Sequence, residues 1–336
     1  MRALEHGENL LRTRAAVWDA FLRGQGMKAQ PFKHVFGPVS SRRLGRSLGV
    51  DLVPLKTCTY DCIYCQLGRT TLKTTERREW VPLDLVLEQV QAKLATEPDY
   101  ITLSGSGEPT LFSRVGELIG RIKDVTDIPV AVLTNGSLLW QKAVRDDLQQ
   151  ADVVIPSLDA GNERMFRYVN RAAPELSFEQ MVEGLMTFRH EYGGQYWLEV
   201  FVLGGVTDVA AEVEAIAASV RRIGPDRVQL NTVTRPPAED FAYPVLPDEL
   251  ARLAPRIAAN AEAIADYRHV HEQPAFAARG EDVIELLRRR PCTVEDIASG
   301  LGMHRNEAVK YIEQFLAEGR LDSTRRSYRT YYSVRE

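Results

Sequence analysis

Cys58, Cys62 and Cys65 fall within one eight-residue segment, Cys58-Thr59-Tyr60-Asp61-Cys62-Ile63-Tyr64-Cys65, and the only other cysteine, Cys292, is far away in the chain. Three thiolates on a short loop can hold three corners of a 4Fe–4S cube and leave the fourth iron without a protein ligand. An iron with an open position can bind and reduce a small molecule, so such a loop suits chemistry better than electron storage. Two other readings use the same residues. Structural zinc needs a closed tetrahedral set, for which the loop offers three thiolates and His34 is the nearest upstream imidazole. A disulfide fits neither the tight spacing nor a chain that reads as belonging to a reducing compartment. A second cluster would require more thiolates than Cys292 supplies. Cys292 stands at a predicted helix start and reads as a small buried residue.

Further groups with chemical potential recur at predicted strand ends. In Ser104-Gly105-Ser106-Gly107-Glu108-Pro109 the glycines let the backbone approach a ligand closely, and Glu108 offers an acceptor for an ammonium. Thr134-Asn135-Gly136 follows the next predicted strand. Ser157 and Asp159 bring a hydroxyl and a carboxylate suited to a ribose, and Asn231 closes the last strand of the series. Each has a plain structural reading when taken singly, as a turn or a helix cap. Their placement on one rim is what makes them a candidate site. Arg42, Arg43 and Lys56 are charges just before the cysteine loop. They could grip an anionic substrate, and Lys56 could form an imine, although solvated surface residues are the plainer reading.

The elements that must position these groups alternate. β-rich runs at Leu48–Val53, Tyr100–Leu103, Val130–Leu133, Val153–Ser157, Trp197–Leu203 and Val228–Val233 are separated by helical patterns such as Val86, Val90 and Leu94 on one face. Six β/α units in succession imply an α/β fold with a parallel sheet, because each crossover helix returns the chain to the same end. Such a sheet can be doubly wound or curl into a partial barrel. In both cases ligand chemistry belongs to the loops at the carboxyl ends of the strands, where the cysteine loop falls.

The flanks have a different grammar. Leucines and aromatics at helical spacing before Gly24 and Gly26 predict an N-terminal helical extension over residues 1–30. Residues 31–270 form the main domain, in which the proline-rich stretch Thr234–Glu249 is a connector and Leu250–Tyr267 a helix. Over 280–336 the pattern gives three helices and a strand, the arrangement of a winged helix-turn-helix domain. Arg320, Arg325, Arg326, Arg329 and Arg335 alternate with tyrosines there, which would suit phosphate contact. Yet Glu281–Glu336 holds ten Lys/Arg and ten Asp/Glu, so the domain is neutral overall. The whole chain of 336 residues has a net charge of −4, 44% hydrophobic and 26% charged residues, an ordinary balance for a globular protein with no global pull toward nucleic acid. With no apolar stretch of membrane-spanning length and no secretory leader pattern, the expectation is a cytoplasmic protein without membrane contact.

Cys58, Cys62, Tyr64 and Cys65 match the CxxxCxΦC pattern, and the chain thereby resembles the radical S-adenosylmethionine (SAM) enzymes. Ser106-Gly107-Glu108-Pro109 is similar to the glycine-rich segment of that family, with serine for its first glycine. The resemblance covers roughly Phe36 to Val233. It implies a partial (β/α)6 TIM-like barrel with a 4Fe–4S cluster on Cys58, Cys62 and Cys65 and SAM beside it. Tyr64 would pack near the adenine, Glu108 and its neighbouring backbone would hold the amino group, and Ser157 or Asp159 the ribose, with Thr134, Asn135 and Asn231 on the same rim. The implied chemistry is reductive cleavage of SAM to a 5′-deoxyadenosyl radical that removes hydrogen from a substrate, fed by an electron donor of flavodoxin or ferredoxin type. Phe36–Gly45, Asp61–Gln66 and Gly105–Leu111 resemble in particular the relatives of wyosine-tRNA (4-demethylwyosine) synthases. Those synthases carry further N-terminal cysteines for a second cluster, and none precedes Cys58, so their ring-forming reaction is not implied. Three substrate readings stand: RNA guided by the C-terminal domain; a small molecule, peptide or protein partner with that domain as a docking module; or an iron–sulfur transcriptional sensor.

Overall fold

The computed structural model describes residues 34–264, 280–326 and 328–335. The helical extension expected over 1–30 lies outside the described residues, as does the stretch after Ile264. One eight-stranded sheet organises the main domain, and its strands lie side by side in chain order: β1 Val35–Ser41, β2 Gly45–Asp51, β3 Tyr100–Ser104, β4 Val130–Thr134, β5 Val153–Pro156, β6 Gln195–Phe201, β7 Arg227–Asn231 and β8 Ala261–Ala263. β1 is antiparallel to β2, and every later pair is parallel. The two end strands do not pair with each other, so the sheet is open.

The connections follow from hydrophobic spacing. Helices α1 Leu83–Lys93, α2 Val115–Lys123, α3 Lys142–Leu148, α4 Phe178–Glu191, α5 Ala210–Ile223 and α6 Pro247–Ile257 each return the chain to the starting end of the next strand. Val86 and Val90 of α1, and Leu118, Ile119 and Ile122 of α2, are fully buried, as residues three and four apart on one face should be. β4 and β5 are apolar on successive residues, with Val130, Ala131, Val132, Val153, Val154 and Ile155 buried, and β3 buries Thr102 between Ile101 and Leu103. Parallel strands covered on both faces favour this. All six expected β/α units are present in this mixed α/β fold. Two edge strands were not legible in the sequence. β1 carries Gly37 and Pro38, which mask its alternation. β8 occupies part of the expected helix Leu250–Tyr267, which in fact stops at Ile257. Pro247 is the first residue of α6, where its missing N–H costs nothing.

The C-terminal segment consists of α7 Gly280–Arg289, α8 Val294–Leu301 and α9 Arg305–Ala317, followed by the antiparallel hairpin β9 Leu321–Arg326 and β10 Arg329–Val334. Its own core holds Val283, Leu287, Cys292, Ile297, Ile312, Phe315 and Leu321, with Val39 of β1 packed against it. Thr293 and Asp296 form a reciprocal capping box at the start of α8. Among the described residues no helix is long and apolar enough to cross a membrane.

His34 lies just before β1. Its backbone carbonyl accepts the Asp51 N–H at 2.7 Å. Burial, reinforced by the nearby Arg289 guanidinium, lowers its pKa to about 4. The unfolded chain therefore takes up a proton near pH 6.5 that the folded chain refuses until near pH 4, so stability falls as pH drops through that window. The loss should approach about 3 kcal/mol at the acid end. Comparing urea denaturation of the protein and of His34→Gln between pH 7.5 and 4.5 checks this, since the substitution should flatten that part of the profile.

Candidate active site

The carboxyl ends of β2 to β7 share one edge of the sheet, and the cysteine loop begins there, after β2. Its first residues, Thr57-Cys58, form a short parallel ladder with Leu72-Lys73. The loop is then clamped from below. Asp61 and Ile63 donate their N–H groups to the Asn170 and Val169 carbonyls, both at 3.0 Å. Ile63 is fully buried, and the Tyr60 ring meets Phe166 edge-on at 5.4 Å. The turn that supplies these anchors, Phe166–Asn170, is a single π-helical turn, an irregularity often found at functional sites.

The three thiols suit a cluster. Among the described residues no three His, Cys, Asp or Glu side chains converge on a single metal ion, as the zinc reading requires. A cube takes one thiolate per iron corner and needs no such convergence. Burial pushes all three thiols up. Cys58 reaches about 12, with the Glu108 carboxylate adding to the effect, and Cys62 is also raised by Asp159. The apo thiols are neutral, and cluster loading must release their protons. Amide donors already face the sulfurs: Asn135 Nδ2 lies 3.5 Å from Cys58 Sγ, and Asn170 Nδ2 lies 3.5 Å from Cys62 Sγ. Donors to cluster sulfur stabilise the reduced state. Asn170→Ala should lower the midpoint potential of the reconstituted cluster by tens of millivolts, measured by redox titration followed by electron paramagnetic resonance.

A cavity of about 400 Å³ opens against this loop. Cys58, Cys62, Cys65, Tyr64, Ser106, Gly107 and Asn231 line it. Tyr64 stacks on Phe201 at 3.9 Å between ring centroids and donates its hydroxyl to Asp159 at 2.5 Å, so one flat face is held rigidly in the wall. Glu108, Pro109, Thr134, Asn135, Ser157 and Asp159 stand behind that lining. Sequence reasoning makes Glu108 an acceptor for an ammonium, but in the fold both its oxygens are engaged. One accepts Thr110 N–H, Thr110 Oγ1 and Thr134 Oγ1 at 3.0, 2.6 and 2.6 Å; the other accepts Asn135 N–H at 2.7 Å. Glu108 therefore ties the β3 loop to the end of β4, while Gly105, Ser106 and Gly107 of that loop line the cavity. Asp159 is engaged likewise, by Tyr64, Asn170 and the Phe201 N–H. Gly107 has no alternative residue: a Cβ there would stand 1.9 Å from the Thr57 carbonyl oxygen.

The loop depends on a buried carboxylate that sequence reasoning missed. Asp51, at the end of β2, accepts both the N–H and the hydroxyl of Ser106, at 2.8 and 2.9 Å. Arg289, the last residue of α7, reaches Asp51 at 2.9 Å and lies over the Phe36 ring at 4.1 Å. Burial raises the Asp51 pKa and Arg289 opposes the shift. The one signal available was an acid within the apolar run Leu48–Val53; its partner, 238 residues away, gave none. Arg289→Gln leaves that carboxylate buried without its cation and should cost about 3–5 kcal/mol in chemical denaturation. Adding Asp51→Asn should restore part of the loss.

The chain is similar to several known proteins. Residues 52–216 match the model of the Radical SAM superfamily. A UPF0026 protein of Helicobacter pylori (strain ATCC 700392 / 26695) is 34% identical over 289 residues, covering 84% of this chain and 91% of that protein. A Brachyspira hyodysenteriae protein named GTPase Obg is 40% identical over 294 residues, covering 86% of this chain; the chain spans only 43% of that relative, and its name describes that protein alone. The fold is similar to a radical SAM methyltransferase from Sphaerobacter thermophilus, with a TM-score of 0.50, 19% identity and 65% of each chain covered.

Proposed function

Since the chain belongs to the UPF0026 family and carries a radical SAM domain, making it a radical SAM enzyme with a 4Fe–4S cluster and SAM as cofactors, we propose that it performs hydrogen abstraction on a substrate held between the barrel and the C-terminal segment. The observation that carries this reading is the set of three half-buried cysteines lining a cavity at the carboxyl edge of the sheet, beside a glycine-rich loop that lines it too. When bound, the cluster and SAM supply a one-electron cleavage that yields a carbon radical. The rest falls to the chain itself. Tyr64, fixed by Phe201 and Asp159, offers the adenine a flat platform. Gly105 and Gly107, which line the cavity on either side of the Asp51-anchored Ser106, let the amino acid end of SAM approach the loop closely. Glu108, Asp51 and Asp159 hold these elements in place, and Ile63, Tyr60 and Val53 exclude water from beneath the loop.

The C-terminal segment reads as a winged helix that docks on the barrel and helps to enclose substrate. Its basic ribbon supports this more than it supports RNA guidance, because the arginines are largely neutralised: Arg320 pairs with Glu281 and Glu318, Arg335 with Asp322, and Arg326 with Asp240 of the barrel. A small molecule, peptide or protein partner is therefore the favoured substrate. The relation to wyosine-tRNA synthases describes shared sequence and not a shared product. A flavodoxin- or ferredoxin-type donor in the cytoplasm completes the scheme.

Anaerobically reconstituted protein given SAM and a strong reductant should release 5′-deoxyadenosine, and Cys62→Ala should reduce the release at least a hundredfold. Release at an equal rate from the variant would remove the cluster from the reaction.

A further inference from the structure

We propose that Tyr60 is a further positioning residue for the cluster, its phenol donating a hydrogen bond to sulfur at the Cys58–Cys62 side of the cysteine loop. The proposal rests on the reading of that loop as the holder of a 4Fe–4S cluster. It gives a role to a residue that the CxxxCxΦC pattern leaves open.

The first observation is a buried hydroxyl that nothing in the fold accepts. Tyr60 is 3% exposed, and its phenolic oxygen has no hydrogen-bond partner among the described residues. A phenol keeps its proton at neutral pH and is a donor there. Leaving such a donor buried and unpaired costs free energy that a phenylalanine in the same place would not lose. The ring alone does the packing: it meets Phe166 edge-on at 5.4 Å and belongs to the main core. The hydroxyl therefore needs a reason other than packing.

The second observation is that the residue is held where it stands. Tyr60 N–H lies 3.5 Å from Cys58 Sγ, and the Tyr60 carbonyl accepts the Thr70 hydroxyl at 2.7 Å. The next N–H, of Asp61, is bound by the Asn170 carbonyl at 3.0 Å, and Thr70 N–H donates to Asp61 Oδ1 at 2.7 Å. With backbone and ring both fixed, the phenol has no freedom to turn toward another acceptor.

The third observation is what surrounds it. The ionisable groups that act on the phenol are Cys62, Asp159, Glu108 and Cys58, and Tyr60 is itself part of the cavity lining. Both carboxylates are committed elsewhere, Glu108 to Thr110, Thr134 and Asn135, and Asp159 to Tyr64, Asn170 and Phe201. The two sulfurs remain. A neutral thiol is a weak acceptor, whereas sulfur carrying negative charge in an iron–sulfur cluster is a stronger one. Cluster loading thus gives the hydroxyl an acceptor that the apo fold does not offer. Asn135 and Asn170 already set amide donors against the same two sulfurs, so Tyr60 adds a third side-chain donor to one set. Donors to cluster sulfur stabilise the reduced state.

The test compares the full-length protein with Tyr60→Phe, which keeps the ring and removes only the hydroxyl. In the apo form the variant should unfold at an equal or higher urea concentration, because an unpaired buried group has been deleted. Both proteins are then reconstituted anaerobically to equal iron and sulfide content. Redox titration followed by electron paramagnetic resonance should show the equilibrium shifted at least threefold toward the oxidised cluster, a lowering of about 30 mV for a one-electron couple. Electron–nuclear double resonance of the reduced cluster, in H2O and in D2O, should show one exchangeable-proton coupling that Tyr60→Phe lacks. A variant that is less stable in the apo form and has an unchanged potential assigns the hydroxyl to the fold and overturns the proposal. A potential shift seen only with SAM present also overturns it, because the phenol would then serve the cosubstrate. Wild-type protein that takes up no cluster rejects the cluster reading and the proposal together. A normal cluster whose potential and proton couplings ignore the substitution rejects the Tyr60 assignment alone.

Discussion

A single carboxylate, Asp51, buried at the carboxyl end of β2, joins three parts of the molecule that the chain brings together from far apart. It receives two hydrogen bonds from Ser106 in the loop after β3 and an ion pair from Arg289 at the end of α7. Taking a carboxylate out of water is costly, and one opposing cation with two further donors is the kind of compensation that makes it tolerable. Gly105 adopts φ +99° against it, and a Cβ there would stand 1.8 Å from its oxygen, so the loop can approach only as glycine. The position of the C-terminal segment and the shape of this cavity-lining loop are thus one constraint. A ligand that moves α7 must also disturb the loop.

The same logic of buried polar groups with complete partners governs the other loops. Glu108 fastens the ends of β3 and β4, and Asp159 fastens Tyr64, Asn170 and β6. These carboxylates are scaffolding for the cavity, and what faces the cavity is backbone, aromatic surface, sulfur and positive charge. This division of labour explains how a cavity of modest volume can be both rigid and open to reactive chemistry: the side chains that hold its shape are not those that touch its contents.

Much of this was legible in the sequence, for physical reasons that can be named. Parallel strands buried on both faces read as near-continuous apolar runs, which is why Val130–Leu133 and 153–155 announced themselves. The spacing of Cys58, Cys62 and Cys65 carries its own chemistry. What escaped was of two kinds. β1 and β8 are edge strands with weak patterns, and β8 forms only because β7 offers it a partner. Asp51, Asn170 and Arg289 gain their roles from contacts across the fold, and no local pattern marks a residue whose partner lies 108 or 238 positions away. Glu108 and Asp159 stand in the neighbourhood that the sequence reading gave them, and the partners that engage them within the fold were not legible, since sequence does not reveal which face of a loop a carboxylate will take.

The central claim is that the three thiols of the cysteine loop hold a 4Fe–4S cluster with one iron left open to SAM. Electron paramagnetic resonance of the dithionite-reduced, anaerobically reconstituted protein, recorded with and without SAM, tests it most directly. The account predicts a reduced 4Fe–4S signal whose g values shift when SAM is added, because the cosubstrate becomes a ligand of the open iron. A cluster signal that SAM leaves unchanged, or stoichiometric zinc in place of iron, would contradict it.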